Sequence, residues 1–174
     1  MKVYDGSSQT EQTQDAEPER VKVGIAEYEV TTNGAVLTTS GLGSCIGIAL
    51  YDTETGAAGL VHVMLPSADD MEDGNAAKFA DTGTELLVNE MEGVGADPSR
   101  IEAKIAGGSD MLDFSDSGSG IGDRNVAKVR ETLAEYGIPI VGEDVGGDHG
   151  RSLRLDGASG DLTVKSANKG SKTI

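Results

Sequence analysis

The sequence is poor in cysteine, aromatic residues and positive charge. A single cysteine, Cys45, in 174 residues excludes an internal disulfide framework. Tryptophan is absent, and aromatics make up only 3% of the chain. No run approaches the ~18 consecutive apolar residues of a membrane-crossing helix. Met1 to Arg20 contain no apolar segment of the secretory-signal kind. A cytoplasmic location without membrane insertion is therefore expected. Lys and Arg number 14 against 30 Asp and Glu, so the formal charge is 14 − 30 = −16. A pI near 4.3 argues against a phosphate-binding surface, so no nucleic-acid partner is expected.

What is present fits one small domain. Apolar residues reach 37%, enough for a lean core, and 25 glycines are about twice the usual ~7% frequency. The acidic residues are spread from Asp5 to Asp161 and form no tail. Such a surface repels itself in dilute salt. At ~1 M salt the Debye length falls to about 3 Å and the repulsion is screened. The composition thus points to a halophilic protein, with an ordinary acidic bacterial protein as the alternative.

Residues 1–20 are polar and aperiodic and read as a disordered tail. Residues 21–165 read as one domain and 166–174 as a loose C-terminal tail. Val21, Val23 and Ile25 alternate with polar neighbours as a strand does, with Tyr28 and Val30 as its extension. Asn33-Gly34 marks a turn before a strand from Ala35 to Thr39. Ser40 to Ser44 form a tight glycine loop, and Ile46 to Tyr51 a further strand. Asp52 to Gly56 have turn composition, and Ala58 to Leu65 return as a strand that Pro66 ends.

Residues 67–75 read as an acidic connection. Spacing of 3.6 residues predicts helices over 76–93 and 124–136, the second stopped by Gly137 and Pro139. Ile101 to Ala106 form a strand between them, and Gly107 to Gly122 a long loop. Ile138 to Val145, Ser152 to Asp156 and Leu162 to Lys165 complete the strands. This order suggests an α+β class.

The chemistry centres on Cys45, which follows Gly41-Leu42-Gly43-Ser44 and precedes a strand. Glycines let the backbone turn sharply, and free N–H groups there, from Gly43 and Ser44, suit an oxyanion. A thiol at such an edge is a candidate nucleophile. The hairpin fixes where His62 lies. With a four-residue loop His62 faces Gly47, and with a tighter turn it faces Cys45. Both registers put Cys45 and His62 on one sheet face, about 5 Å or 7–8 Å apart at Cβ. The Thr39 hydroxyl closes the preceding strand and is placed to orient the ring. Being uncharged, it would stabilise an imidazolium less than an aspartate does. Two histidines and one cysteine match no zinc spacing, so no metal is expected. Gly41-x-Gly43 lacks the rest of a dinucleotide fingerprint, because a strand follows where a helix should.

Thr39-Ser40-Gly41-Leu42-Gly43-Ser44-Cys45, followed by Gly59 through Pro66, resembles CheD, the chemoreceptor glutamine deamidase family. Lys78 to Thr82, Lys104 to Gly108, Ile121 to Asn125, Glu143 to Gly147 and Gly150 to Ser152 agree with it in order. The resemblance implies a β-sandwich-like core of mostly antiparallel strands with two main flanking helices, similar to the cytotoxic necrotizing factor catalytic domain. It implies catalytic Cys45, His62 and Thr39, with no cofactor. The implied reaction converts glutamine side chains of methyl-accepting chemotaxis receptors to glutamate, with release of ammonia. It also implies binding to the CheC phosphatase. The same nucleophile is chemically able to attack a receptor methyl ester. A non-enzymatic adaptor that binds and regulates CheC is the alternative.

The acidic composition gives a direct expectation. Melting temperature should climb steadily as KCl rises towards molar levels, measured by thermal melts. A melting point indifferent to KCl would refute the halophile reading.

Overall fold

The computed structural model describes residues 18–68, 74–110, 120–167 and 169–174. Most of the expected N-terminal tail, most of the 67–75 connection and the middle of the 107–122 loop lie outside them. Among the described residues ten strands form two sheets. The first sheet contains β1 (Arg20–Lys22), β3 (Val36–Leu42), β8 (Arg151–Asp156), β9 (Leu162–Ser166) and β10 (Gly170–Thr173), in that spatial order. The second contains β2 (Tyr28–Thr31), β5 (Ala58–Val63), β4 (Ile46–Asp52), β6 (Ile101–Gly107) and β7 (Ile140–Val145). The class is α+β, as expected. Antiparallel ladders dominate, but both sheets are mixed. The β1–β3 and β6–β7 pairs are parallel.

Alternation along each strand sorts side chains onto two faces. Ala49, Ala58, Leu60 and Ala106 of the second sheet meet Leu37, Leu153, Leu155 and Val164 of the first, forming the inter-sheet core. The opposite face of the second sheet carries Ile46, Ile48, Leu50, Val61 and Val63. These pack with Leu87, Val88 and Met91 of α1 (Ala80–Gly93) and Val129 and Leu133 of α2 (Ile121–Glu135). Both helices cover this one sheet.

Three local expectations differ from the structure. The single strand expected from Val21 to Val30 is two strands in different sheets. Ala26 breaks it with φ 60°, inside a turn that the Glu27 carboxylate closes on the Gly24 N–H at 2.8 Å. Ile25 is consequently 56% exposed. The helix expected from residue 76 begins as a 3-10 turn, Ala76–Lys78. Phe79 then stays extended, bridging Leu65, before α1 starts. Lastly, the C-terminal residues expected to be loose include β10, which pairs with β9, and Ile174 donates its N–H to the Leu162 carbonyl at 2.8 Å.

Two buried charged clusters fix how the strands are registered. Asp52 ends β4 with no solvent exposure. One of its oxygens accepts from the Glu54 and Thr55 N–H groups at 2.8 and 3.1 Å, and the other from the Asp97 N–H at 3.0 Å. Arg100 donates to both oxygens. This closes the four-residue turn and ties β6 beside β4. At the other end of the sandwich, Arg151 reaches from the first sheet to the Asp144 carboxylate and the Gly107 carbonyl of the second.

Burial alone would raise the Asp52 pKa, but the three N–H donors and Arg100 hold it well below the carboxylate range. Its folded pKa lies below the unfolded value of about 3.9. The stabilisation is therefore complete above about pH 4 and is lost as pH falls further. Asp52→Asn should cost about 1–3 kcal/mol at pH 7 and flatten the acid limb below about pH 4. Denaturant midpoints measured against pH at constant KCl check this.

Candidate active site

The β4–β5 ladder sets the site. Gly47 pairs with His62 and Ile46 with Val63, the register of the four-residue turn. His62 is 0% exposed. Its backbone is held from the far side, its carbonyl accepting from the Ala26 N–H at 2.9 Å and its N–H donating to the Glu27 carbonyl at 3.1 Å. Thr39 lies on β3 in the facing sheet. Its Oγ1 is 2.8 Å from His62 Nδ1, so the contact spans the sandwich. Nε2 is buried and has no hydrogen-bond partner among the described residues. The structure thus brings Thr39 and His62 together. Cys45 is half-buried and packs at the inter-sheet core, but no hydrogen bond joins its thiol to Nε2.

The crossing from β3 to β4 explains the glycines. The β3–β8 register shifts between Thr39 and Leu42, where Gly41 adopts φ 75°. Gly43, Ser44 and Cys45 then carry the chain into the second sheet. Their three carbonyls are all tied. Gly43 accepts from the Ser109 N–H at 2.9 Å, Ser44 from Asn125 Nδ2 at 2.8 Å and Cys45 from the Gly108 N–H at 2.9 Å. A trans peptide points its N–H opposite to its carbonyl. The Ser44 and Cys45 N–H groups therefore face away from Ser109 and Asn125. The Gly43 N–H is already used, on the Gly41 carbonyl at 3.2 Å.

Burial controls both titrating groups. Desolvation raises the Cys45 thiol pKa, partly offset by its own backbone N–H. Desolvation lowers His62 to about 4. At neutral pH both are uncharged.

A family model described as CheD chemotactic sensory transduction matches residues 64–166. A protein of the halophile Haloarcula marismortui, named probable chemoreceptor glutamine deamidase CheD, is 66% identical over 174 residues, covering 100% of both chains. The chain belongs to the CheD family. A Natronomonas pharaonis protein of the same name is 48% identical over 147 residues, 84% of this chain and 87% of its own. One from Caldanaerobacter subterraneus is 46% identical over 157 residues, 88% and 97%. The solved structure of Neisseria meningitidis protein NMB0706, of family DUF152, superposes with TM-score 0.53 at 14% identity, over 89% of this chain and 76% of that one. At that identity the likeness concerns the fold alone.

Two residues near Cys45 and His62 escape a reading for nucleophiles and bases. Gly47 sits opposite His62, and a Cβ there would meet Leu153 at 2.3 Å. The glycine makes room there for the Leu153 side chain of the facing sheet. Asn125 is fully buried in the first turns of α2. Its Nδ2 donates to the Ser44 carbonyl at 2.8 Å and to the Met64 carbonyl at 3.0 Å. It bridges the residue before Cys45 and the second residue after His62. Its Oδ1 has no partner among the described residues, so the side chain serves as a double donor. The sequence signal is faint. A polar side chain inside a helix that otherwise packs its apolar stripe inward is the only hint.

Asn125→Ala should leave two buried carbonyls unpaired, at about 1–3 kcal/mol each. Asn125→Asp fills the same space but sets an acceptor oxygen against those carbonyls, so it should destabilise at least as much. Denaturant titration checks the order. Iodoacetamide should also label native Cys45 faster in both variants, because the turn is released. A near-wild-type Asn125→Asp would show that only volume matters.

Proposed function

We propose that this CheD-family chain deamidates glutamine side chains of methyl-accepting chemotaxis receptors through a Cys45 thioester. The observation that carries the reading is the Thr39–His62 contact between the sheets, which leaves Nε2 buried and unbonded at the level of the Cys45 turn. With Nδ1–H donating to the Thr39 hydroxyl, Nε2 carries the lone pair and is the base. Cys45 and His62 rest uncharged, so the proton moves as the reaction proceeds.

His62 Nε2 takes the thiol proton while Sγ bonds to the carboxamide carbon. The carbonyl oxygen becomes an oxyanion and is held by the Ser44 and Cys45 N–H groups, whose direction the tied Gly43 and Ser44 carbonyls fix. The C–N bond breaks, and the leaving nitrogen takes the proton from His62 and departs as ammonia. Water gives a proton to neutral His62 and attacks the thioester carbon. The C–S bond breaks, the thiol regains its proton, and a glutamate side chain remains. These steps draw only on protein groups and water. Thr39 orients the ring without adding charge.

The same reading places the protein in the cytoplasm, where receptor helices are reached, and takes CheC as a partner. It also relates the sandwich and its flanking helices to the cytotoxic necrotizing factor catalytic domain.

Incubation with a receptor fragment in concentrated KCl, followed by peptide mapping, should show a gain of about 1 Da per modified glutamine as NH2 becomes OH. Cys45→Ala should abolish it, His62→Ala should nearly do so, and Thr39→Ala should slow it less. The adaptor alternative instead predicts fragment or CheC binding with no mass change. With His62 near 4, the neutral imidazole persists in mild acid. The rate kcat/KM should therefore hold as pH drops to about 5 and fall only through about pH 4, not near the ordinary histidine value of about 6.5.

A further inference from the structure

The outer face of the first sheet is charged against the trend of the chain. Neither α1 nor α2 covers it, since both pack on the second sheet. Strand alternation sends Val21, Leu37, Leu153, Leu155, Leu162 and Val164 inward to the core. The intervening residues face outward. The ladders align Lys22 with Thr38, Thr38 with Arg154 and Arg154 with Thr163. Lys165 pairs with Ser152 on one side and Ser171 on the other. Arg20 lies two residues before Lys22 on the same face. Arg20, Lys22, Arg154 and Lys165 are all exposed. Asp156 is the acidic side chain among these outward strand positions, and its carboxylate accepts from the Ala158 N–H.

Three features set this face apart from a solvated polar surface. The chain carries 30 acidic residues against 14 basic ones, yet cations dominate here. None of the four cations takes part in an ion pair among the described residues. Thr38, Ser152, Thr163 and Ser171 between them carry hydroxyls, and the apolar outward position, Val36, is itself buried, so little exposed apolar surface competes for the contact. Strands lie 4.7–4.9 Å apart, so Lys22 and Arg154, two strands apart, are separated by about 10 Å at Cβ. Like charges at that spacing gain nothing from one another. They gain from an anionic partner laid across the sheet.

We infer that this face docks an acidic surface of the receptor substrate. This rests on the deamidase reading above. In concentrated KCl the long-range repulsion of a body of formal charge −16 is screened, so the cationic face acts through direct contact with the partner's carboxylates. The face ends at Ser40 and Gly41, next to Thr39 and a few residues before Cys45. A partner seated there lies beside the catalytic turn. Each turnover also places one more carboxylate on the partner, which matches the sign of the face.

The test pairs Arg154→Glu with Lys165→Glu and uses the receptor fragment that serves as substrate, in constant concentrated KCl. Exposed ion pairs contribute about 0.2–1 kcal/mol each, and reversal adds repulsion. KM should rise roughly tenfold, about 1.4 kcal/mol, with kcat within about twofold. Fragment affinity measured in a Cys45→Ala background should weaken equally. Arg130→Glu with Lys128→Glu on α2 makes the same change in net charge and should leave KM unaltered. Thermal melts confirm that each variant folds, and the single variant Lys22→Glu repeats the test if the pair does not. Unchanged KM and affinity in folded Arg154/Lys165 or Lys22 variants would overturn the docking face while leaving the deamidase reading intact. An equal effect from the α2 pair would overturn it too, since net charge alone would then explain the loss. Absence of any deamidation by the wild-type protein would overturn both.

Discussion

The alignment of β5 against β4 governs the rest of this molecule. Because side chains alternate along a strand, a slip of one residue would move His62 from the inter-sheet core to the helix-covered face. Asp52 prevents the slip. Its buried carboxylate gathers three backbone N–H groups and Arg100, so the turn between the strands has one low-energy length. Gly47 then falls opposite His62, and its missing Cβ makes room for the Leu153 side chain of the other sheet. Thr39 meets Nδ1 across this layer of the sandwich.

Desolvation is the second theme. It raises the thiol and lowers the imidazole, whose Nε2 has no partner among the described residues. An unpaired buried nitrogen is costly in a structure selected only for stability. Here it coincides with a turn whose carbonyls are each claimed by a different neighbour: Ser109, Asn125 and Gly108. Among the described residues the scaffold leaves one basic nitrogen unpaired and turns the Ser44 and Cys45 N–H groups away from Ser109 and Asn125. These are what an acyl transfer requires.

Much of this was legible from residue order. Strand periodicity, the Asp52–Gly56 turn and the Gly41–Ser44 loop located the hairpin, and counting across it put His62 and Cys45 on one face. Thr39 followed from its position at the end of the preceding strand. What was not legible depended on contacts between distant segments. Nothing local marks Ala26 as left-handed, because its φ is imposed by the bonds that Gly24, Glu27 and His62 make around it. The C-terminal residues are polar and lack alternation. They form β10 because β9 offers an edge and Ile174 anchors against Leu162. Asn125 reads as an unremarkable helix residue until the fold brings Ser44 and Met64 to it.

The tie from Arg151 to Asp144 and the Gly107 carbonyl has a mechanical meaning. It staples the two leaves of the sandwich at the rim where Cys45 lies, so they cannot be wedged apart to swallow a bulky group. A slender, protruding side chain can be presented to such a rim without any opening of the enzyme. The burden of conformational adjustment therefore passes to the partner, and the accessibility of its own amides decides which of them are modified.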